Sequence, residues 1–330
     1  MIKVFLTETK GLKEIPFEEA KKGCWFDLIA PNDKELETLS ALINVPLDML
    51  KVSLDEEERA HIERDDGCTL IVVDTPQMEE SDSEGMQIKY STIPLGMIYN
   101  EDYFVTVSLR ECAVVSDFLE GRVKDVYSYK RTRNVLMLLL RNSTKFLQHL
   151  KLIDRVSNRV QSELRRSMKN KELIQLMELE KSLVYFATGI NANEYVLERF
   201  RTFEEIKKYE EDVELMDDVI RENKQAQEMC SIYSDILSGT MDAFASIVSN
   251  NLNIVMKVFT MISIILAIPT LITSIWGMNV NLPFMNHPLG FIIVIIIAFI
   301  LSALGIIAIV KINNSLRLET HKKRKKKHLK

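Results

Sequence analysis

Residues suited to handling a cation recur along one stretch of this chain at the spacing of a single helix face. In alternating steps of four and three from Ser249 come Asn253, Met256, Thr260, Ser263, Ala267, Thr270, Ser274 and Gly277. That step keeps one face inward in a left-handed helical bundle. Nearly all of these residues are small or polar, whereas Val258, Ile262, Ile264, Leu266 and Leu271 between them suit lipid or a neighbouring helix. Such a face could pack helices closely through small residues, which needs no pore, or it could line a water-filled path. Traced backward, the same phase places Glu214, Glu228, Asp235 and Asp242 on one side. In a dry seam unpaired carboxylates would cost several kcal/mol each. A water-filled vestibule removes that cost and attracts cations by focusing the field. The competing reading is a solvated helix face, because Asp212, Asp217 and Glu222 make other faces acidic as well. A vestibule role is drawn for Asp235 and Asp242, while Glu211 and Glu214 lie too far along the extrapolated phase to be assigned.

These residues must be positioned by a long helix that begins near Tyr209 and meets no proline until Pro269. About 60 residues at ~1.5 Å each make a rod roughly 90 Å long. Charged residues nearly vanish after Lys257, leaving two apolar blocks, Val258 to Trp276 and Gly290 to Val310. Each has close to the ~20 residues that a membrane-spanning helix needs. Two spans put both chain ends on one side. From Lys311 onward nine Lys or Arg residues face one Glu, a local +8 that leaves −13 for Met1 to Val310 in a chain of net charge −5. A basic tail beside a span marks the cytosolic side and contacts anionic lipid headgroups. Both termini are therefore expected in the cytoplasm, with the loop Gly277 to Leu289 outside and Trp276 at the interface. A nucleic-acid partner is not expected, since no aromatic or groove-reading module accompanies the basic run.

Upstream, β-rich runs alternate with turn signals: Ile2 to Leu6, Trp25 to Leu28, Thr69 to Val73, Ile88 to Ile98 and Tyr103 to Val107, with helical pieces such as Lys34 to Ile43 between them. After Arg110, apolar residues recur at helical spacing through Val135, Leu138, Leu139, Phe146, Leu150 and Ile153, and a second helix is expected from Glu172 to about Phe203. The fold class is thus an α/β N-terminal cytosolic domain followed by long α-helices and two C-terminal transmembrane helices. The expected divisions are 1–110 for the α/β domain, 111–254 for a stalk, 255–276 for a pore-lining span, 277–289 for an outward loop, 290–310 for a second span and 311–330 for the basic tail. Met1 to Pro16 lacks the apolar stretch of a signal peptide. Cys24, Cys68, Cys112 and Cys230 show neither paired spacing nor a neighbouring His, so they read as reduced thiols. No phosphate-binding loop, nucleophile elbow or H-E-x-x-H appears, so neither an enzyme nor an organic cofactor is expected.

At the outer end of the first apolar block stands Gly277-Met278-Asn279, preceded by Trp276 and by Pro269 within the helix. A G-M-N tripeptide in this topology resembles the signature of the CorA family of Mg²⁺ and Co²⁺ transporters. Ser249 to Thr260 is similar to the segment that opens that family's pore helix. Weaker likeness extends through Trp25 to Pro31 and through an expected acidic helix, Asp48 to Arg64, before Thr69 to Val73. The resemblance implies a funnel-shaped homopentamer in which five long helices line one pore, Gly277, Met278 and Asn279 form the selectivity filter, and Met256 and Phe259 form a constriction near the inner mouth. Mg²⁺ is then both substrate and regulator. Because Mg²⁺ dehydrates reluctantly, a ring of Asn279 amide oxygens and Gly277 carbonyls would accept hydrogen bonds from its water shell without a fixed charge.

The resemblance also places a regulatory Mg²⁺ at Asp218, beside Asp217, with a partner carboxylate from the neighbouring subunit among Glu79, Glu80, Asp82 and Glu84. One departure is that Val280 to Leu289 contains no carboxylate, so an outer ring of Glu is absent and the preferred metal stays open. His287 suggests a softer ion such as Zn²⁺ or Co²⁺ only if it is a ligand; a lone loop His is otherwise a solvated polar group. Two alternatives accompany this reading: export of Zn²⁺ or another divalent metal on the same scaffold, and a membrane-anchored coiled-coil scaffold. The second expects a uniformly apolar first span, which Thr260, Ser263, Thr270 and Ser274 contradict.

Overall fold

The computed structural model describes residues 1–8, 11–80, 88–167, 170–278 and 288–327. The chain divides into two compact units, Met1–Met241 and Asp242–Lys330. The first opens with β1 (Ile2–Glu8), β2 (Gly11–Ile15), β3 (Trp25–Ile29), α1 (Asp33–Ile43), α2 (Leu47–Val52), β4 (His61–Asp65), β5 (Cys68–Glu80), β6 (Ile88–Tyr99) and β7 (Phe104–Ser108). Helices follow: α3 (Ala113–Leu119), α4 (Arg131–Ser167), α5 (Asn170–Arg201), α6 (Glu204–Lys207), α7 (Glu210–Trp276) and α8 (Gly290–Lys327).

The strands form one sheet in the order β2-β1-β3-β7-β6-β5-β4. Only β3 and β7 pair in parallel, Trp25 opposite Phe104. Side chains alternate across this sheet, and both faces are covered. Trp25, Ile71, Leu95 and Met97 pack with Phe118, Val135, Leu139, Val196 and Val219 from the helices that follow the sheet. Phe26, Leu28, Leu70, Val72 and Val105 pack with Leu36 and Leu39 of α1 on the other side. A strand buried on both faces reads as a continuous apolar run, which is why Thr69 to Val73 is conspicuous in the sequence. Helix α1 starts on a reciprocal capping box, with Glu35 N–H donating to Asn32 and Asn32 N–H donating to Glu35.

Two expectations are corrected. The supposed acidic helix Asp48 to Arg64 is helical only over Leu47–Val52, and Arg64 lies in β4. The Asp55 carboxylate accepts the backbone N–H of Glu57, so a local turn outcompetes the helix, and Ile62 is drawn into the sheet opposite Ile71. Strand β5 runs to Glu80 rather than stopping at Val73, and it passes through Pro76. Proline is tolerated there because β4 pairs with β5 only over Cys68 to Val72, which leaves the outer edge of the following residues without a neighbouring strand. Helix side chains cap that edge: Asn193 accepts from the Asp74 N–H at 2.8 Å and donates to its C=O at 2.8 Å, and Asn142 donates to the same C=O. On the other edge of the hairpin, the Tyr90 N–H donates to Ser182.

Helix α7 begins where the sequence places it, with Glu210, Glu211 and Asp212 in its first turn, where negative charge complements the helix dipole. In the first unit it buries Asp212, Met216, Val219, Asn223, Ala226, Cys230 and Leu237, a row in steps of three, four or seven. All four cysteines are buried and free. Among the described residues, α7 and the Gly290–Ile307 portion of α8 are the two helices long and apolar enough to cross a membrane.

Candidate functional site

The small and polar row of α7 is best located by what the helix buries. In the first unit, Glu214, Asp218, Arg221, Gln225, Glu228 and Asp235 each stand two residues before or after a member of the buried row, such as Met216, Val219, Asn223, Ala226 and Leu237. Two residues on a helix of 3.6 per turn are ~200° apart. The acidic row therefore faces away from the core of this unit, and Asp235 is exposed.

The second unit repeats the relation. Met261, Ile265, Ile268, Ile272 and Trp276 are partly covered, while Ser263, Ala267, Thr270 and Ser274, two residues on from the first four, are exposed. The covering element is α8, which buries Val294, Ala298 and Ser302. Contact is close: a Cβ placed on Gly305 would lie 2.9 Å from Ile268 Cδ1. Asn253, Met256, Phe259 and Thr260 are likewise exposed, as is Asp242. The hydroxyl groups along the row are oriented by their own helix. Thr260 donates to Met256 O at 2.7 Å, Ser263 to Phe259 O at 2.9 Å and Thr270 to Leu266 O at 2.7 Å. With the proton spent on a carbonyl, each oxygen keeps lone pairs free, so the row presents acceptors.

At the C-terminal end of α7, Gly277 N–H donates to Thr273 O at 2.9 Å and Met278 N–H to Ile275 O at 3.2 Å, and both residues are exposed. Asn279, His287, Asp82 and Glu84 lie outside the described residues.

The proposed regulatory carboxylates are already engaged. Asp217 accepts from Arg201 at 2.9 Å, and Asp218 accepts from Arg221. Glu79, near the end of β5, accepts from the Ser91 hydroxyl at 2.7 Å and pairs with Lys89 at 3.4 Å. Donation by Ser91 and the charge of Lys89 outweigh partial burial and hold its carboxyl below the ordinary range. Glu80 is the last residue of the same strand. Among the described residues no group of three or more His, Cys, Asp or Glu side chains is placed to hold a metal ion. Among the described residues, a single chain thus gathers no metal-binding cluster around Asp217, Asp218 and Glu79.

Sequence reasoning missed a buried ionic centre. Asp117 of α3 is fully buried and pairs with Arg141 at 2.5 Å, Lys145 at 2.7 Å and Arg122 at 2.5 Å. Burial alone would raise this carboxyl, but hydrogen bonds from Lys145, Arg141 and Arg122 outweigh it and hold it at about 2. The available signal was the pair Arg141 and Lys145, four residues apart along the margin of the apolar face of that helix. Two further carboxyls, Asp27 and Asp74, are pushed up to about 6 by burial, and burial lowers His149 to about 4.

Comparisons with known proteins give a consistent picture. The family model described as CorA-like Mg²⁺ transporter protein matches residues 20–312. The cobalt/magnesium transport protein CorA of Methanocaldococcus jannaschii is 28% identical over 313 residues, covering 88% of this chain and 92% of that protein. The solved structure of the CorA magnesium transporter from the same organism superposes with a TM-score of 0.78 at 23% identity, covering 93% of this chain and 96% of that one. The cytoplasmic domain of ZntB from Vibrio parahaemolyticus, 9% identical, superposes with a TM-score of 0.56 and covers 76% of this chain and 97% of its own. At that identity the last likeness shows the fold alone.

Proposed function

The chain belongs to the CorA-like Mg²⁺ transporter family, whose members are transporters rather than enzymes, and from that premise we propose that it admits hydrated Mg²⁺, and Co²⁺ with it, to the cytosol through a path lined by α7. The observation that carries this reading is the placement of the small and polar row ~200° from the row that α8 covers, which leaves Thr260, Ser263, Ala267, Thr270 and Ser274 free to face a common axis. Five copies around that axis form the pore, as the family resemblance implies, with α8 in an outer ring.

The chemistry suits a hydrated ion. Mg²⁺ releases water reluctantly, and the waters of its shell point their hydrogens outward, toward the acceptor oxygens of the row. Gly277, Met278 and Asn279 act as the filter at the outer mouth. Met256 and Phe259 narrow the inner end. Asp235 and Asp242 concentrate cations in the vestibule below it. With the cytosol negative by roughly 100 mV, a divalent ion gains about 4.6 kcal/mol on entry, twice the value for one charge, so uptake needs no nucleotide. The basic tail holds both termini on the cytoplasmic side of the cell membrane and contacts anionic headgroups.

Regulation joins Asp217 and Asp218 of one copy to Glu79, Glu80, Asp82 or Glu84 of its neighbour through a partly hydrated Mg²⁺. The test is uptake of Mg²⁺, Co²⁺ and Zn²⁺ into proteoliposomes from one preparation, beside the Asn279→Ala variant. Mg²⁺ uptake that collapses in Asn279→Ala while assembly is retained is the expected result. Wild-type flux in a correctly inserted Asn279→Ala protein, or transport of Zn²⁺ without Mg²⁺, overturns the proposal.

A further inference from the structure

A cavity of about 460 Å³ in the first unit lies between α3, the 122–125 segment, α4 and α7. Its volume falls in the range of small-molecule sites, roughly 300–1,000 Å³. Phe118, Val123, Met137, Leu140 and Leu215 give it an apolar floor. Its charged lining is mostly cationic, Arg122, Lys124, Arg133 and Arg141 against the single carboxylate Asp125, with the neutral Thr144 beside them. The carboxylates paired with these cations, Asp117, Glu120, Glu211 and Asp212, offset the formal charge of the lining, so the site rests on donors rather than net charge, and none of them takes up a whole guanidinium. Asp117 occupies Nε and Nη2 of Arg141 and Nη1 of Arg122. Glu120 takes Nη2 of Arg122. Glu211 and Asp212 share Nη1 of Arg133.

A guanidinium carries five N–H donors in a rigid fork. Arg141 Nη1, together with Nε and Nη2 of Arg133, therefore keeps donors without a protein acceptor among the described residues, and Lys124 forms no ion pair there. The ion pair to buried Asp117 pins Arg141 in place, so little side-chain entropy is lost when a ligand arrives. We propose that this cavity binds a compact organic anion, a carboxylate or phosphate monoester whose charged head meets Arg133 and Arg141 and whose apolar body rests on Phe118, Met137 and Leu140. The apolar floor sets this class apart from inorganic phosphate, which has no surface to bury there. Because Leu215 and the acceptors of Arg133 belong to α7, the bound anion adds a link between α4 and the first turns of that helix.

Fluorine NMR of the full-length protein in detergent, with para-trifluoromethylbenzoate as probe and the neutral para-trifluoromethylbenzamide as control, tests this directly. The carboxylate line should broaden with protein while the amide line stays sharp, and inorganic phosphate at the same concentration should not displace the probe. Arg133→Gln should weaken the carboxylate about tenfold, the scale of a charge-assisted hydrogen-bonded pair. Lys124→Gln, at an exposed position, should weaken it by a smaller factor with the fold intact, and Met137→Trp should fill the cavity and abolish broadening. Equal broadening by carboxylate and amide, no broadening by either, or carboxylate binding unchanged in folded Lys124→Gln and Met137→Trp proteins overturns the proposal. Since transport is not measured, failure here leaves the conduction reading intact.

Discussion

Under the proposed regulation, removing the arginines that hold Asp217 and Asp218 should make the site they would form bind Mg²⁺ more tightly. Asp217 and Arg201 are 50% and 53% exposed, and Asp218 and Arg221 are 49% and 70% exposed. Ion pairs this exposed contribute ~0.2–1 kcal/mol each, so a Mg²⁺ ion that must displace one arginine loses about that much. At about 1.4 kcal/mol per tenfold, Arg221→Gln should lower the half-saturating Mg²⁺ concentration by about 1.4- to 5-fold, and the double variant Arg201→Gln with Arg221→Gln by roughly 2- to 30-fold. The readout is protection of the full-length protein against chymotrypsin, whose cleavage sites these substitutions leave unchanged, titrated with Mg²⁺ at fixed ionic strength. Raising KCl should shrink the difference between variant and wild type, because exposed pairs are screened. Asp218→Lys should be protected without Mg²⁺, its ammonium standing in for the metal. If both arginine variants need as much Mg²⁺ as wild type, or more, then Asp217 and Asp218 do not bind the regulatory ion.

Three further outcomes are expected. Asp117→Asn should lower the melting temperature of the full-length protein by about 4 °C, since a carboxyl moved from 3.8 to about 2 represents about 2 kcal/mol. Because that pKa is depressed on folding, the stabilisation is present above about pH 4 and is lost as pH falls through about 2, a slope that a thermal scan should find in wild type and not in the variant. Asn193→Ala should cost about 2–4 kcal/mol by leaving the Asp74 N–H without its acceptor and its C=O with one donor fewer, and hydrogen exchange at the Asp74 amide should accelerate in parallel. Single cysteines at Thr260, Ser263, Thr270 and Ser274 should react with small water-soluble thiol reagents in the conducting state, while cysteines at Ile268 and Ile272, on the face that α8 covers, should not; equal labelling of both sets would place the path elsewhere.

Much of this architecture is legible in the sequence, because periodicity and apolar runs are local properties of the chain. The long helix from Glu210, the two apolar helices near the C-terminus and the phase that joins Asp235 and Asp242 to Thr260 and Ser274 all follow from spacing and composition. The G-M-N tripeptide, read at the end of the first apolar block, identifies the family. Spacing does not tell which face of a helix its neighbours cover. That required α8, whose Gly305 admits the Ile268 side chain and so turns the opposite, polar row outward. Strand β5 beyond Val73 was illegible for a related reason: Asp74, Thr75 and Pro76 look like a turn until Asn193 and Asn142, more than 65 residues away, cap the strand edge. The acidic run after Asp48 misleads in the other direction, since its helical composition yields to a carboxylate that closes its own turn. Asp117 with its three cations, and Asp217 with Arg201, join residues on different elements or segments, whereas Asp218 and Arg221 are neighbours three residues apart on one helix. Whether such groups meet depends on how far apart the topology sets their backbones, and a charge buried at the meeting point is tolerated only because several donors reach it together.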